Sequence, residues 1–156
     1  MLQDRREELA ELLMDHMEMM YRMAYSIVEN DADAQDAVGE TIVTAFEKWH
    51  QLRKPDSARA WILQILVNKA RTIRKKANRV SPCEDLEQSK SDGIFLYDEI
   101  WPVVMELQEE YREVIVLYYY EQFSVKEVAQ ALNIPVGTVK SRLARARERL
   151  AKEIER

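Results

Sequence analysis

The sequence predicts an all-α protein of two small helical domains joined by a flexible linker, the second containing a helix-turn-helix. Three observations carry this. Only 3 glycines and 4 prolines occur in 156 residues, while Leu, Ala, Glu, Arg and Met, all helix formers, are frequent. Apolar residues recur at spacings of three and four along several long stretches. Residues 80–98 break that pattern with Ser-Pro, Asp-Gly, several acids and few apolar residues, as a linker does. The expected division is a first domain over 1–79, a linker over 80–98 that spans up to roughly 60 Å when extended, and a second domain over 99–156.

Residues 5–29 are expected to form the first helix, with Leu9, Leu12, Leu13, Met17, Met20, Ala24, Ile27 and Val28 as one broad apolar stripe. Its methionines suit core filling or an adaptable groove. Asn30-Asp31-Ala32-Asp33 ends this helix, and Asp33 is expected to cap a second one from Ala34 to about His50. Ala37, Val38, Thr41, Ile42, Ala45, Phe46 and Trp49 form its apolar side. Asp36, Glu40 and Glu47 remain on an acidic face that is either solvated or a partner site. Gly39 inside this helix costs about 1 kcal/mol against Ala, and nothing in the sequence explains it.

A loop follows, with Arg53 and Lys54 before Pro55, and Asp56 or Ser57 caps a third helix running to about Arg79. Trp61, Ile62, Ile65, Leu66, Ala70 and Ile73 give it an apolar side. Arg71, Arg74, Lys75, Lys76 and Arg79 crowd its C-terminal end, more cations than the helix dipole needs, and suggest phosphate contact. Asn68 lies on the same side as Trp61 and Ile65. It either bonds to backbone or forms the polar wall of a pocket for an unstacked base.

Glu99–Gln122 reads as one long helix entered through Pro102, with Val103, Val104, Leu107, Tyr111, Val114, Ile115, Leu117 and Tyr118 as its apolar residues. Tyr118, Tyr119 and Tyr120 pack beneath the next helices or stack on bases. Ser124 and Glu127 form a capping box, Asn133 suits a left-handed turn, and Pro135 separates two short helices. Val139, Leu143, Ala146 and Leu150 line one side of the second of these. Lys140, Arg142, Arg145, Arg147 and Arg149 surround the rest. The pattern is a helix-turn-helix whose second helix can enter a DNA major groove; the plainer alternative is a helical hairpin with a solvated basic face.

The net charge of −5 argues against a general DNA-coating protein, but its distribution is uneven. Residues 1–47 hold 3 basic and 12 acidic residues, 48–79 hold 10 and 1, 80–121 hold 2 and 11, and 122–156 hold 8 and 4. Two polyanion-facing surfaces thus alternate with two acidic ones, and free DNA is expected to bind weakly. Cys83 stands alone, so no intrachain disulfide forms. One Cys with the distant His16 and His50 makes no standard zinc site, and no metal or cofactor is expected. The N-terminal stretch is too charged for a signal peptide and no apolar run of about 18 residues exists, so a cytoplasmic protein without membrane insertion is expected. No nucleophile–base constellation or phosphate-binding glycine loop supports an enzyme.

Three stretches in order, YRMAYSIVENDADAQDAVGETIVTAFEKW, ARAWILQILVNKARTIRKKANR and YREVIVLYYYEQFSVKEVAQALNIPVGTVKSRLARARERL, resemble the extracytoplasmic-function group of bacterial sigma-70-type sigma factors over roughly residues 18–153. The resemblance implies a promoter-specificity subunit without catalysis of its own. Its partners would be core RNA polymerase, through the β and β′ subunits, promoter DNA, and an anti-sigma factor. Residues 1–79 would bind the −10 element and open the duplex, and 99–156 would bind the −35 element. Asp36, Glu40, Thr41 and Glu47 would dock on polymerase, at the clamp helices of β′. Arg53 and Lys54, with Trp61, Ile65 and Asn68, would capture a flipped −10 base while Arg71, Arg74, Lys75 and Lys76 hold strand phosphates. Thr138, Lys140, Ser141, Arg142, Arg145 and Arg147 would read the −35 element or its backbone. Two positions depart from the family: Gly39, where Gln is frequent, and Ala144, where some members carry a larger residue. A dimeric helix-turn-helix regulator and a polymerase-binding adaptor that opens no DNA are the alternatives.

Overall fold

The computed structural model describes residues 2–52, 58–80 and 98–155, and every regular element among them is helical. The loop carrying Arg53 and Lys54, the caps expected at Asp56 and Ser57, and the linker with Cys83 lie outside the described residues. The first domain comprises α1 (Leu2–Asp15), α2 (Met17–Val28), α3 (Asp31–Lys48) and α4 (Ala58–Val80). The second comprises α5 (Trp101–Glu106), α6 (Glu109–Ile115, continued by a π turn over Val116–Tyr120), α7 (Val125–Leu132) and α8 (Val136–Glu155).

The expected helix over 5–29 is two helices. His16 leaves the helical ladder at φ −112° and ψ 17°, and its N–H reaches back only three residues, to the Leu13 carbonyl at 3.2 Å. The elbow lets α1 lie across both α2 and α3. It brings Leu9 and Leu13 into the core with Met20, Met23, Ala24 and Ile27, and leaves Met14 and Met17 exposed. Most of the expected stripe is therefore inside, but Met17 is not.

The cap of α3 is Asn30, not Asp33. Asn30 Oδ1 accepts the Asp33 N–H at 2.9 Å, and its Nδ2 donates to the Asp33 carboxylate at 3.0 Å. Asp33 thereby becomes the third helical residue, and the helix starts three residues earlier than expected. Ala34, Ala37, Val38, Thr41 and Ala45 are buried against α2 and α4, whereas Phe46 is 37% exposed.

The single helix expected over Glu99–Gln122 is also broken. Leu107 is extended at ψ 153° and turns its side chain inward. The buried Arg112 repairs the break by donating Nη1 to the Met105 carbonyl at 2.9 Å. Asp98 fastens the entry, accepting from Trp101 N–H at 2.8 Å and from the Tyr120 hydroxyl at 2.7 Å. Glu127 and Ser124 complete the capping box of α7, and Asn133 ends that helix at φ 56° and ψ 51°. Val139, Leu143 and Ala146 are buried against α6 and α7, as their spacing predicts.

The two domains pack on one another. Helix α7 runs against α4, and α6 meets α2.

Candidate nucleic-acid and polymerase interfaces

On α3, Asp36, Glu40 and Glu47 are exposed along one face together with Val43, which is 58% exposed. Their spacing of four, three and four residues keeps them in one row. An apolar centre of Val43 and Phe46 with an acidic rim has the make-up of a protein interface. The sequence pattern missed both: Val43 breaks the period, and Phe46 was assigned to the core. Thr41 is withdrawn from this face. It is fully buried, and its hydroxyl donates to the Ala37 carbonyl at 2.7 Å. Gly39 is exposed on the same face, and a Cβ there would meet nothing within 4 Å.

On α4, Trp61 and Ile65 are half-buried and Asn68 is exposed. Trp61 leans on Trp49, with ring centroids 6.0 Å apart. The Asn68 backbone carbonyl accepts from the Thr72 hydroxyl at 2.9 Å. Lys75, Lys76 and Arg79 are exposed. Arg71 and Arg74 are not in the same condition. Arg71 Nη2 donates to both carboxylate oxygens of Glu113, at 3.0 and 2.8 Å, and Arg74 is paired with Glu109. Burial pushes the Glu113 carboxyl up to about 7, against the pull of Arg71 and with the help of neighbouring Glu109. Burial also opposes the Glu109 carboxylate, but its bonds with Arg74 and Glu113 outweigh that and hold it below its usual range.

On α8, Lys140, Ser141, Arg145 and Arg147 are exposed, and Thr138 and Arg142 are half-buried. Thr138, Ser141, Arg142 and Arg145 line one open cleft of about 620 Å³ with Glu110 and Tyr111. Arg147 is braced by the π turn, bonding the Tyr119 hydroxyl with its guanidinium 5.8 Å from the Tyr118 ring centre. Two of the three tyrosines thus position a cation, and Tyr120 serves Asp98.

Two further ion pairs cross between the domains, and of their four residues the sequence marks only Glu127, for its capping role. Arg22 of α2 pairs with Glu121, whose side chain is 3% exposed. Burial pushes the Glu121 carboxyl up to about 7 despite Arg22. Arg59 grips Glu127 with two bonds, Nε to Oε2 at 2.6 Å and Nη2 to Oε1 at 2.7 Å, over the Phe123 ring. That bond from Arg59 is the main reason the Glu127 carboxyl falls to about 2. The opposite charges of the 48–79 and 80–121 blocks foreshadow Arg71–Glu113 and Arg74–Glu109, but no block charge foreshadows these two pairs.

Residues 12–80 match the family model for sigma-70 region 2, and residues 97–150 match the one for sigma-70 region 4. The chain is 30% identical to the RNA polymerase sigma factor SigV of Bacillus subtilis over 143 residues, covering 88% of this chain and 86% of that protein. It is 27% identical to the ECF RNA polymerase sigma factor SigW of the same organism, covering 95% of this chain and 89% of that one. It also resembles the solved structure of the sigma factor RpoE in complex with the anti-sigma factor NepR from Bartonella quintana. The TM-score is 0.74 at 26% identity, covering 97% of both chains.

Proposed function

The chain belongs to the extracytoplasmic-function group of sigma-70-type sigma factors, and from that premise we propose how its surfaces divide the work. As a sigma factor it binds core RNA polymerase and directs recognition of the −10 and −35 elements, promoter melting and transcription initiation. The domain over 1–79 takes polymerase and the −10 element, and the domain over 99–156 takes the −35 element. The α3 face of Asp36, Glu40, Val43, Phe46 and Glu47 docks on polymerase, with the β′ clamp helices as its target. Asn68, with Trp61 and Ile65 beside it, receives an extruded −10 base. Arg53, Lys54, Arg71, Arg74, Lys75 and Lys76 hold the strand. Thr138, Lys140, Ser141, Arg142 and Arg145 meet the −35 element, with Arg147 at their edge.

One observation carries this division: the exposed polar groups of α8 and the exposed Asn68 of α4 lie on different domains, each matching a different sigma region. Two modest contacts on one duplex combine through effective concentration, so polymerase need only hold both domains in register. Base capture then offsets an unpairing cost of about a few kcal/mol per base. The reaction itself belongs to the polymerase, and this chain works in the cytoplasm as a specificity subunit without catalysis. Likeness to a sigma factor solved with its anti-sigma factor supports an anti-sigma partner here. No described helix is long and apolar enough to cross a membrane.

Run-off transcription with core polymerase tests the reading. Addition of the protein should give specific starts, and Asn68→Ala should impair opening more than core binding. Specific duplex binding without polymerase and without initiation would favour a dimeric regulator. Core binding without opening would favour an adaptor.

A further inference from the structure

The first turn and a half of α6 carries Glu109, Glu110 and Glu113, and these meet cations from both DNA-facing helices. Arg71 bonds Glu113, Arg74 bonds Glu109, and Arg142 of α8 approaches Glu110 at 3.9 Å. Arg71 Nε also lies 3.9 Å from Glu109. Arg71, Arg142 and the three glutamates line one open cleft of about 420 Å³ between the domains.

A carboxylate and a phosphate compete for the same guanidinium edge, since both offer paired anionic oxygens to its fork of donors. Arg71 and Arg74 keep 35% and 26% of their side chains exposed, so exchanging one anion for the other needs no passage through a dry core. The same interface is fastened elsewhere by Arg22–Glu121 and Arg59–Glu127, which have no assigned DNA contact. The packed state is therefore held independently of the arginines it occupies.

We propose that Glu109 and Glu113, with Glu110 beside them, are a built-in phosphate surrogate: in the packed state they occupy Arg71 and Arg74 and withhold them from DNA, an autoinhibitory contact released when the domains part. This rests on the reading of Arg71 and Arg74 as −10 strand contacts. A sigma factor guarded in this way ignores free DNA and gains its full −10 grip only once polymerase has drawn the domains apart.

The test is binding of the full chain, without polymerase, to a fluorescent single-stranded DNA of mixed sequence over a salt series. Glu109→Gln/Glu113→Gln should bind about tenfold tighter than the unaltered chain. It should also steepen log K against log[salt] by about 1.4, at about 0.7 for each freed arginine. Glu99→Gln/Glu106→Gln makes the same change in charge at exposed positions that carry no ion pair among the described residues, and should do much less. Equal effects of the two double variants, or no steepening, overturn the proposal. If the Glu113 substitution unfolds the protein, Glu109→Gln alone should give about half the steepening, and none would refute the surrogate. Adding Arg71→Ala/Arg74→Ala to the Gln pair should abolish the gain. A gain that survives shows that these arginines are not the DNA contacts, which sinks the −10 reading separately.

Discussion

The C-terminal half of α4 and the outer side of α8 are both rich in cations, and the structure treats them differently. On α8, Lys140 and Arg145 stand exposed without an ion-pair partner among the described residues. On α4, Arg71 and Arg74 are engaged by Glu113 and Glu109 across the domain boundary. Equal charge in the sequence is therefore unequal charge at the surface. What a basic helix offers to DNA depends on which anions its own fold has placed beside it.

The largest test of this contrast is at the fastening. Arg22→Ala leaves the Glu121 carboxyl buried without its cation, and should lower unfolding stability by about 3 kcal/mol in urea titration. Arg22→Met/Glu121→Leu removes both charges and should recover most of the loss. A loss below about 0.5 kcal/mol would show that the closed side of the contrast is not held at this pair.

DNA binding by the free protein comes next. Arg145→Ala on the open helix should cost about 1–3 kcal/mol on a promoter carrying a −35 element, measured by fluorescence anisotropy. Arg71→Ala should cost much less in the same assay, because its guanidinium is already spent on Glu113. Similar losses at both positions would break the contrast between the two helices.

Much of the open side was legible in the sequence, and little of the closed side was. The capping box at Ser124, the left-handed Asn133 and the inward Val139, Leu143 and Ala146 all obey rules that act within about four residues, so a reader of the chain can apply them. The pairs that occupy α4 join residues 42 positions apart for Arg71–Glu113 and 68 for Arg59–Glu127. No local period encodes them. Glu127 illustrates the limit: its capping role was readable, its second role as the partner of Arg59 was not. The breaks at His16 and Leu107 escaped notice for a related reason. Neither is marked by Gly or Pro: the first lets Leu9 and Leu13 pack in the core, and the second is held by the inward Leu107 and the Arg112 bond to the Met105 carbonyl. Thr41 and Phe46 show the same limit on α3, where a helical wheel places side chains by angle but does not say where the neighbouring helices stop.

Acidity should sharpen the contrast by a smaller amount. Glu113 and Glu121 both sit at about 7 when packed, above the ordinary carboxyl value of 4.5. Such groups bind protons more tightly in the packed state. The stabilisation from these protons is therefore fully present below about pH 4.5, and is lost as pH rises from there through 7. Glu113 faces Arg71 and Glu109, and Glu121 faces Arg22 and Glu18, so both carboxylates have like charge close by. Glu127 works in the opposite sense, but its fall to about 2 places its loss of stabilisation below pH 4.5, outside this window. Unfolding stability should be higher at pH 5.5 than at pH 8 by about 1 kcal/mol or more, and Glu121→Gln should flatten that slope. A stability that rises with pH over the same interval would contradict the assignment.

The smallest effect is expected at Gly39, on the exposed acidic face of α3. A methyl group there meets nothing within 4 Å, so Gly39→Ala removes backbone entropy from the unfolded chain at no steric cost. Thermal unfolding should show a gain of about 0.5–1 kcal/mol, with the Arg71–Glu113 and Arg74–Glu109 contacts unaffected. The fold thus gives no reason for glycine at this position. It lies in the row of Asp36, Glu40 and Val43, where a partner's backbone can approach an exposed glycine more closely than any other residue. Gly39→Ala should therefore be more stable yet bind core polymerase more weakly. A variant that gains stability and keeps full polymerase affinity would place the docking contact off this part of α3.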